Sequence, residues 1–455
     1  MKFMNKITCF AVAMVLVFAA GLTGCGANNS GKEDENANVK TSTQVEPEES
    51  NASEPIVLTV WGDPVHNGDA FKSNPSAEGK NILDTIQKKM QEKFPTIKIE
   101  YIDKGWADQL RQNLMIATMA GNPPDIADGE DFIPEFARIG ALSEVPADIA
   151  KELSEGPISA AKYNGKLYAV SGVTGIFGLV YNKDVLVKAG LNENDVPKTW
   201  NQWLEVSKKI TDAGKGQFYG TIVQNGQLGG AFRIAPFIRQ LGGDFASSDW
   251  QNVTFNTPEI MKTLTFLREL SKTAPPGSTT LNDEGAIYKM INDGKACFYV
   301  NGPWFIGWTK SQNPPGNIGY APLPVPDEGG KPANVIVGNV LWFTLKASKH
   351  QEAALEYLKI MAGADYQKKV SVMSGRIPSN KVAADDEEFK KSAPELSIFA
   401  QITANEQATA LPVYPKNGPK IWEAWYKVQD ITLVSDRPID AALAEAQKKT
   451  EELLK

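Results

Sequence analysis

Ile56-Val57-Leu58-Thr59-Val60-Trp61 is an apolar, β-branched run stopped by Gly62-Asp63-Pro64, the pattern of a buried strand. Over 81–94, Ile82, Ile86, Met90 and Phe94 recur at helical spacing and predict an amphipathic helix. Pro95 ends it, and Ile97-Lys98-Ile99-Glu100-Tyr101 alternates as a second strand. A second helix over 106–120 stops at Gly121, and Pro123-Pro124-Asp125-Ile126-Ala127 leads into a third strand. Strand and helix in strict alternation predict a parallel sheet covered by helices. The alternation resumes after Tyr168, with a helix capped at Thr199-Trp200-Asn201-Gln202 and others over 258–271 and 284–293. No repeat of fixed short period occurs, which argues against a solenoid or propeller.

The 455 residues carry a net charge of −7 and no basic stripe, so nucleic acid is not an expected partner. Beyond Glu54 about 400 residues remain, more than a single core usually serves, which predicts two lobes. Of the 3 cysteines only Cys297 belongs to the folded part, within the apolar run Ala296-Cys297-Phe298-Tyr299-Val300. It reads as a core residue, and no intramolecular disulfide is available. The 2 histidines, His66 and His350, are far apart in sequence and read as exposed, and neither lies in a motif for a metal site or a nucleophilic triad. No cofactor and no metal is expected.

The chain begins with Lys2 and Lys6, then an apolar stretch over 7–20 that is short for a permanent membrane helix. Leu22-Thr23-Gly24-Cys25 follows and resembles the lipobox of bacterial lipoproteins. That resemblance implies cleavage after residue 24, a lipid on Cys25, and an extracytoplasmic protein held to the cell membrane by that lipid alone. Residues 26–54 are acidic, nearly free of aliphatic residues and without an aromatic, the composition of a solvated tether.

Lys162-Tyr163-Asn164-Gly165-Lys166-Leu167-Tyr168-Ala169-Val170 and then Leu179-Val180-Tyr181-Asn182-Lys183-Asp184-Val185-Leu186 resemble the central segment of the family-1 extracellular solute-binding proteins, which include the maltose/maltodextrin-binding proteins of ABC importers. Further matches follow in order: Gly121-Asn122-Pro123-Pro124-Asp125-Ile126, Pro197-Lys198-Thr199-Trp200, Asn301-Gly302-Pro303-Trp304, Gly375-Arg376-Ile377-Pro378-Ser379-Asn380 and Asp440-Ala441-Ala442-Leu443. The resemblance implies a periplasmic-binding-protein-like α/β fold, two discontinuous lobes with a ligand cleft at a hinge. On that reading 1–24 is a signal peptide and 25–54 a tether. Residues 55–170 plus 331–376 make lobe 1, and 171–330 plus 377–455 make lobe 2. Crossings are expected near 170–175, 322–330 and 375–380, where Gly and Pro also mark ordinary loops. The implied function is capture of a sugar or oligosaccharide and its delivery to an ABC permease, without catalysis.

A sugar offers hydroxyls at its edge and C–H faces above and below, so a cleft for it needs aromatic plates and a fence of polar groups. Of 10 Trp, most are expected in the core. Trp304 resembles the stacking position of sugar-binding relatives, and Trp422 that of a further aromatic; Trp61 ends the first strand, where α/β clefts open. Asp63 and Asp125 read either as hydroxyl acceptors or as turn residues. Gln224 and Asn225 offer amides or line a solvated loop. Asp244 fits a tight turn or the cleft, and the Arg376 fork fits a ligand oxygen or a carboxylate across the hinge. Aromatics beside carboxylates also describe a glycosidase cleft, but no carboxylate pair lies in a motif for acid and nucleophile. A sensory binding protein, or one for a polyol phosphate or peptide, carries the same features.

Overall fold

Two sheets divide the strands between them. The computed structural model describes residues 55–454, apart from 67, 131, 226, 249, 250, 282, 406, 415 and 416. The signal segment, the tether and Cys25 lie outside the described residues.

The first part of the chain lays down β1 (Val57–Trp61), β2 (Lys98–Tyr101) and β3 (Ile126–Gly129), then a small hairpin of β4 (Lys162–Tyr163) and β5 (Lys166–Leu167). Next come β6 (Val170–Ile176), β7 (Gly178–Asn182), β8 (Tyr219–Ile222), β9 (Ala296–Asn301) and β10 (Ile318–Ala321). The last strands are β11 (Ala333–Thr344), β12 (Ile377–Pro378) and β13 (Gln407–Thr409). One sheet has the order β12-β6-β11-β3-β1-β2, with β13 also on β11; the other has the order β10-β7-β9-β8.

The opening strands and helices form as the periodicity predicts. The amphipathic helix spans Ala77–Lys93, with Ile82, Ile86 and Met90 buried and Ser76 accepting from the Gly79 amide at its start. Thr199 and Gln202 close a reciprocal capping box on the helix Trp200–Gly214, an arrangement that contributes about 1 kcal/mol. That helix buries Trp200 and Trp203 against Phe237 and Phe266, with Trp200 stacked on Phe266 at 4.4 Å between centroids. In the core on the first sheet, Trp342 of β11 meets Tyr357 of the helix Gln351–Ala362 edge-on, with 5.6 Å between ring centroids. Cys297 is buried as expected, and burial pushes its thiol well above its ordinary range. Among the described residues no helix is long and apolar enough to cross a membrane.

The crossings differ from expectation. Residues 170–176 are no linker but the fully buried strand β6, paired with both β11 and β12. Its glycines serve close approach: a Cβ on Gly172 would lie 2.9 Å from Trp342 Nε1, and one on Gly175 2.8 Å from Trp304 Cζ3. The chain passes between sheets at Phe177, whose N–H donates to Asn334 Oδ1 and whose carbonyl accepts from Asn334 Nδ2 at 2.8 Å. It returns between β10 and β11, within the Pro/Gly-rich stretch expected. Beyond residue 376 it stays with the first sheet through β12 and β13, because Ile377 and Pro378 pair with β6 and 407–409 with 333–335. Only then do the helices Gly418–Val434 and Ile439–Leu454 pack on the second core.

Candidate functional site

Strand direction defines one shared edge. In the first sheet β1, β3 and β6 run the same way, since β1 and β3 are parallel and β11 is antiparallel to both β3 and β6. Their carboxyl ends, the first half of β11 and the start of β12 therefore lie together. In the second sheet Gly178 pairs with Asn301, and β8 runs parallel to β9. The carboxyl ends of β8 and β9 thus lie where β7 begins, one residue past Phe177. Carboxyl ends of strands at a change of connection are where α/β proteins hold ligands.

On the first sheet, Trp61 closes β1, and the Lys104 ammonium lies over its ring, 5.0 Å from the centroid. Asp63 organises the loop that follows. Its two oxygens accept from the Val65 amide at 3.0 Å and the Gly68 amide at 2.6 Å, while its own amide donates to Asp128 Oδ2. This turn drives His66 to φ 59°, a left-handed conformation rare outside glycine. His66 Nε2 is buried without a hydrogen-bond partner, and burial, then the Arg376 charge, hold the imidazole well below its usual pKa. Asp128, at the third position of β3, is buried so deeply that its carboxyl is pushed up to about 8, the Asp63 charge adding to burial. Glu130 accepts from the amide of Gly338 at 2.5 Å and that of Asn339 at 3.4 Å, pinning the point where β11 slips register. Gly338 has φ 58°, and the Cβ of any other residue there would lie 3.4 Å from both Arg376 Nε and Trp304 Cζ3. Arg376 Nε is buried and has no hydrogen-bond partner. Burial lowers its pKa in spite of Glu130, Asp128 and Asp63 nearby.

The second sheet brings Trp304, the first residue of the helix Trp304–Lys310. Its benzo edge faces Gly302, Gly175 and Gly338, and its Nε1 donates to Tyr288 Oη at 2.7 Å. Phe177 meets it edge-on at 6.1 Å. The indole is thus fixed at both ends and half-buried. Behind it Arg233 donates to the Val300 carbonyl at 3.1 Å and to Glu284 at 2.5 Å, with its guanidinium over Phe177 and Tyr299, 5.3 Å from each. Gln224 accepts from Tyr299 Oη, and Asn225 keeps a buried Oδ1 with no hydrogen-bond partner.

The structure therefore gathers Trp61, Asp63, Trp304 and Arg376 at one edge, with Gln224 and Asn225 at the facing strand end. Three expected site residues have other duties. Asp125 precedes β3, at the opposite end of the strand, and its oxygens accept from Thr59 N and Oγ1 at 2.8 Å and Ser348 Oγ at 2.6 Å. Asp244 binds Arg239, which itself grips the carbonyls of Asn334, Thr409 and Ala410. Trp422 packs among Phe245, Tyr414 and Tyr426 in the second core. Sequence reasoning missed His66, Glu130 and Arg233. The strand-end rule that selected Trp61 reaches Glu130, but nothing local marks Arg233, which sits inside a helix.

The combination offers a rigid aromatic plate, a guanidinium whose buried Nε has no acceptor, and buried amide and imidazole groups that also have no partner, a set suited to holding a polyhydroxylated molecule. Among the described residues no cluster of three His, Cys, Asp or Glu side chains fits a metal ion.

The sequence profile of the bacterial extracellular solute-binding proteins matches residues 77–368. The arabinooligosaccharide-binding protein of Bacillus subtilis is 28% identical over 378 residues, 80% of this chain and 77% of that one. The galactooligosaccharide-binding protein of the same organism is 25% identical over 334 residues, 70% and 75% of the two chains. In three dimensions the fold is similar to that of the cyclic α-maltosyl-1,6-maltose binding protein from Arthrobacter globiformis, with a TM-score of 0.72 over 88% of this chain and 99% of that one at 21% identity.

Proposed function

We propose, for a chain that belongs to the bacterial extracellular solute-binding protein family, that it captures an oligosaccharide between its two lobes and passes it to the permease of an ABC importer. The family is one of binding proteins rather than enzymes, and it places the chain outside the cytoplasm. The observation that carries the reading is Trp304, an indole clamped by glycines and by Tyr288 at the edge where both sheets present their strand ends, next to the Arg376 guanidinium, whose Nε has no acceptor. The relatives named for arabino- and galacto-oligosaccharides support a saccharide as the ligand. Trp61, Asp63, Gln224 and Asn225 complete the contact set, and the lobes close about the Phe177 passage. Cys25 carries the lipid that holds the protein at the cell membrane.

A ligand that binds only the folded state at a hundred times its Kd stabilises it by about 2.7 kcal/mol. Thermal unfolding of the full chain against arabino-, galacto- and malto-oligosaccharides is expected to show a clear rise in Tm for at least one series. A flat response across the whole panel would refute the saccharide reading. For the anchor, a fatty-acid analogue is expected to label the wild type and leave Cys25→Ala unlabelled; equal labelling of both removes the lipid from Cys25.

A further inference from the structure

Arg376 is the charged group among those at this site whose hydrogen-bonding requirements the described residues leave unmet. Each neighbouring carboxylate has an internal occupation. Asp63 takes the Val65 and Gly68 amides, Glu130 takes those of Gly338 and Asn339, and Asp128 is pushed towards its neutral form by burial. None of them forms a hydrogen bond with the guanidinium, and Nε is buried without an acceptor. The result is a planar fork of N–H donors in low-dielectric surroundings, placed beside the Trp304 ring across Gly338.

We propose that this site takes an acidic saccharide, a hexuronate unit whose C–H face lies on Trp304 and whose carboxylate meets Arg376; this deepens the reading above and rests on it. A hydroxyl or ring oxygen of a neutral sugar satisfies a single N–H and leaves the rest of the fork without an acceptor. A carboxylate accepts two parallel, charge-assisted N–H bonds, the pairing for which guanidinium geometry is best suited. The lowered pKa of Arg376 agrees with this, because burial outweighs the three surrounding carboxylates. In a hexuronate the carboxylate projects from the ring at the edge while the C–H face stays flat. A plate and a fork on either side of one glycine suit that shape.

The test is calorimetric titration of the full chain with matched pairs, galactobiose against digalacturonate and cellobiose against cellobiouronate. The acidic member is expected to bind about ten-fold or more tightly than its neutral partner, a gap set by a charge-assisted bidentate contact. Its affinity falls with added salt while that of the neutral sugar holds. Arg376→Gln is expected to erase the preference, and Arg376→Lys, which keeps the charge and loses the fork, to retain only part of it. Tighter binding of the neutral members by the wild type overturns the inference and leaves the saccharide reading standing. An equal loss for both members on Arg376→Gln overturns it as well. If no saccharide of either kind binds, both readings fall together.

Discussion

Trp304→Ala separates a ligand plate from a core residue, because the two roles load different measurements. The indole is half-buried, with its benzo edge against Gly175, Gly302 and Gly338 and its Nε1 donating to Tyr288. Large-to-small changes at a fully buried aromatic cost about 3–5 kcal/mol. For a half-buried ring roughly half of that applies, and the lost hydrogen bond adds about 1 kcal/mol, so unfolding free energy falls by about 3 kcal/mol. Loss of a central stacking plate costs about 2–4 kcal/mol of binding, or roughly 30- to 1000-fold in Kd. Trp304→Phe keeps an aromatic face but loses the N–H and one of the two fused rings, so its affinity is expected to stay within about ten-fold of the wild type. Denaturant unfolding and calorimetry on the same two variants decide the matter. A Trp304→Ala protein that is destabilised by this amount yet binds saccharide with unchanged affinity when folded would refute the stacking role.

Asp125→Ala removes the acceptor of three hydrogen bonds, two from Thr59 and one from Ser348, and is expected to lower unfolding free energy by about 3 kcal/mol with saccharide affinity unaltered; weakened binding with normal stability would return Asp125 to the cleft. Asp128 has its carboxyl raised from 3.8 to about 8, so between those values the folded state binds more protons than the unfolded one and stability drops as pH rises. Asp128→Asn is expected to lack this loss, gaining on the wild type by at most about 1.4 kcal/mol per pH unit across that window, and a pH-independent gap between the two in urea titrations contradicts the assignment. Gly338→Ala forces a Cβ into φ 58° and is expected to cost about 1–2 kcal/mol, with weaker saccharide binding because that carbon abuts Arg376 and Trp304; an unchanged Tm would argue against the left-handed turn.

Much of the fold was legible because the opening elements report on themselves. The Ile56 to Trp61 run, the Ile82, Ile86, Met90 spacing and the Thr199 cap each carry a local pattern, and each forms within a few residues of where it was expected. The passage between the sheets was misread at Val170–Ile176 because glycine marks both flexible turns and tight packing, and only the neighbours of Gly172 and Gly175 distinguish the two. The site was partly legible for the same reason. Trp61, Asp63, Trp304 and Arg376 flank strand ends or motif corners. Asp125 has similar credentials, but it begins its strand rather than ending it, and the direction of that strand is a property of the sheet. His66 reads as an exposed histidine until the Asp63 turn folds it inward. Trp422 and Trp425, three residues of helix apart, both serve a core that no local signal announces.

Strand β11 belongs to both halves of the molecule. Val335 and Val337 are buried in the second core, Val340 and Trp342 in the first, and the register slip lies between them at Gly338 and Asn339. On the closure proposed above, a swing of one half on the other, this irregular point and the Phe177 passage, which Asn334 of the same strand holds, would form one hinge. Displacement in such a swing grows in proportion to distance from the pivot. Arg376 and Trp304, both 3.4 Å from the Gly338 Cβ position, therefore sit beside that hinge, where the proposed closure would change their spacing least. On that reading a molecule arriving at an open form would meet the pair already set, and Trp61 and Asn225, farther along their arms, would travel to reach it. Selection by the pair would then come before the swing, and the swing would supply grip.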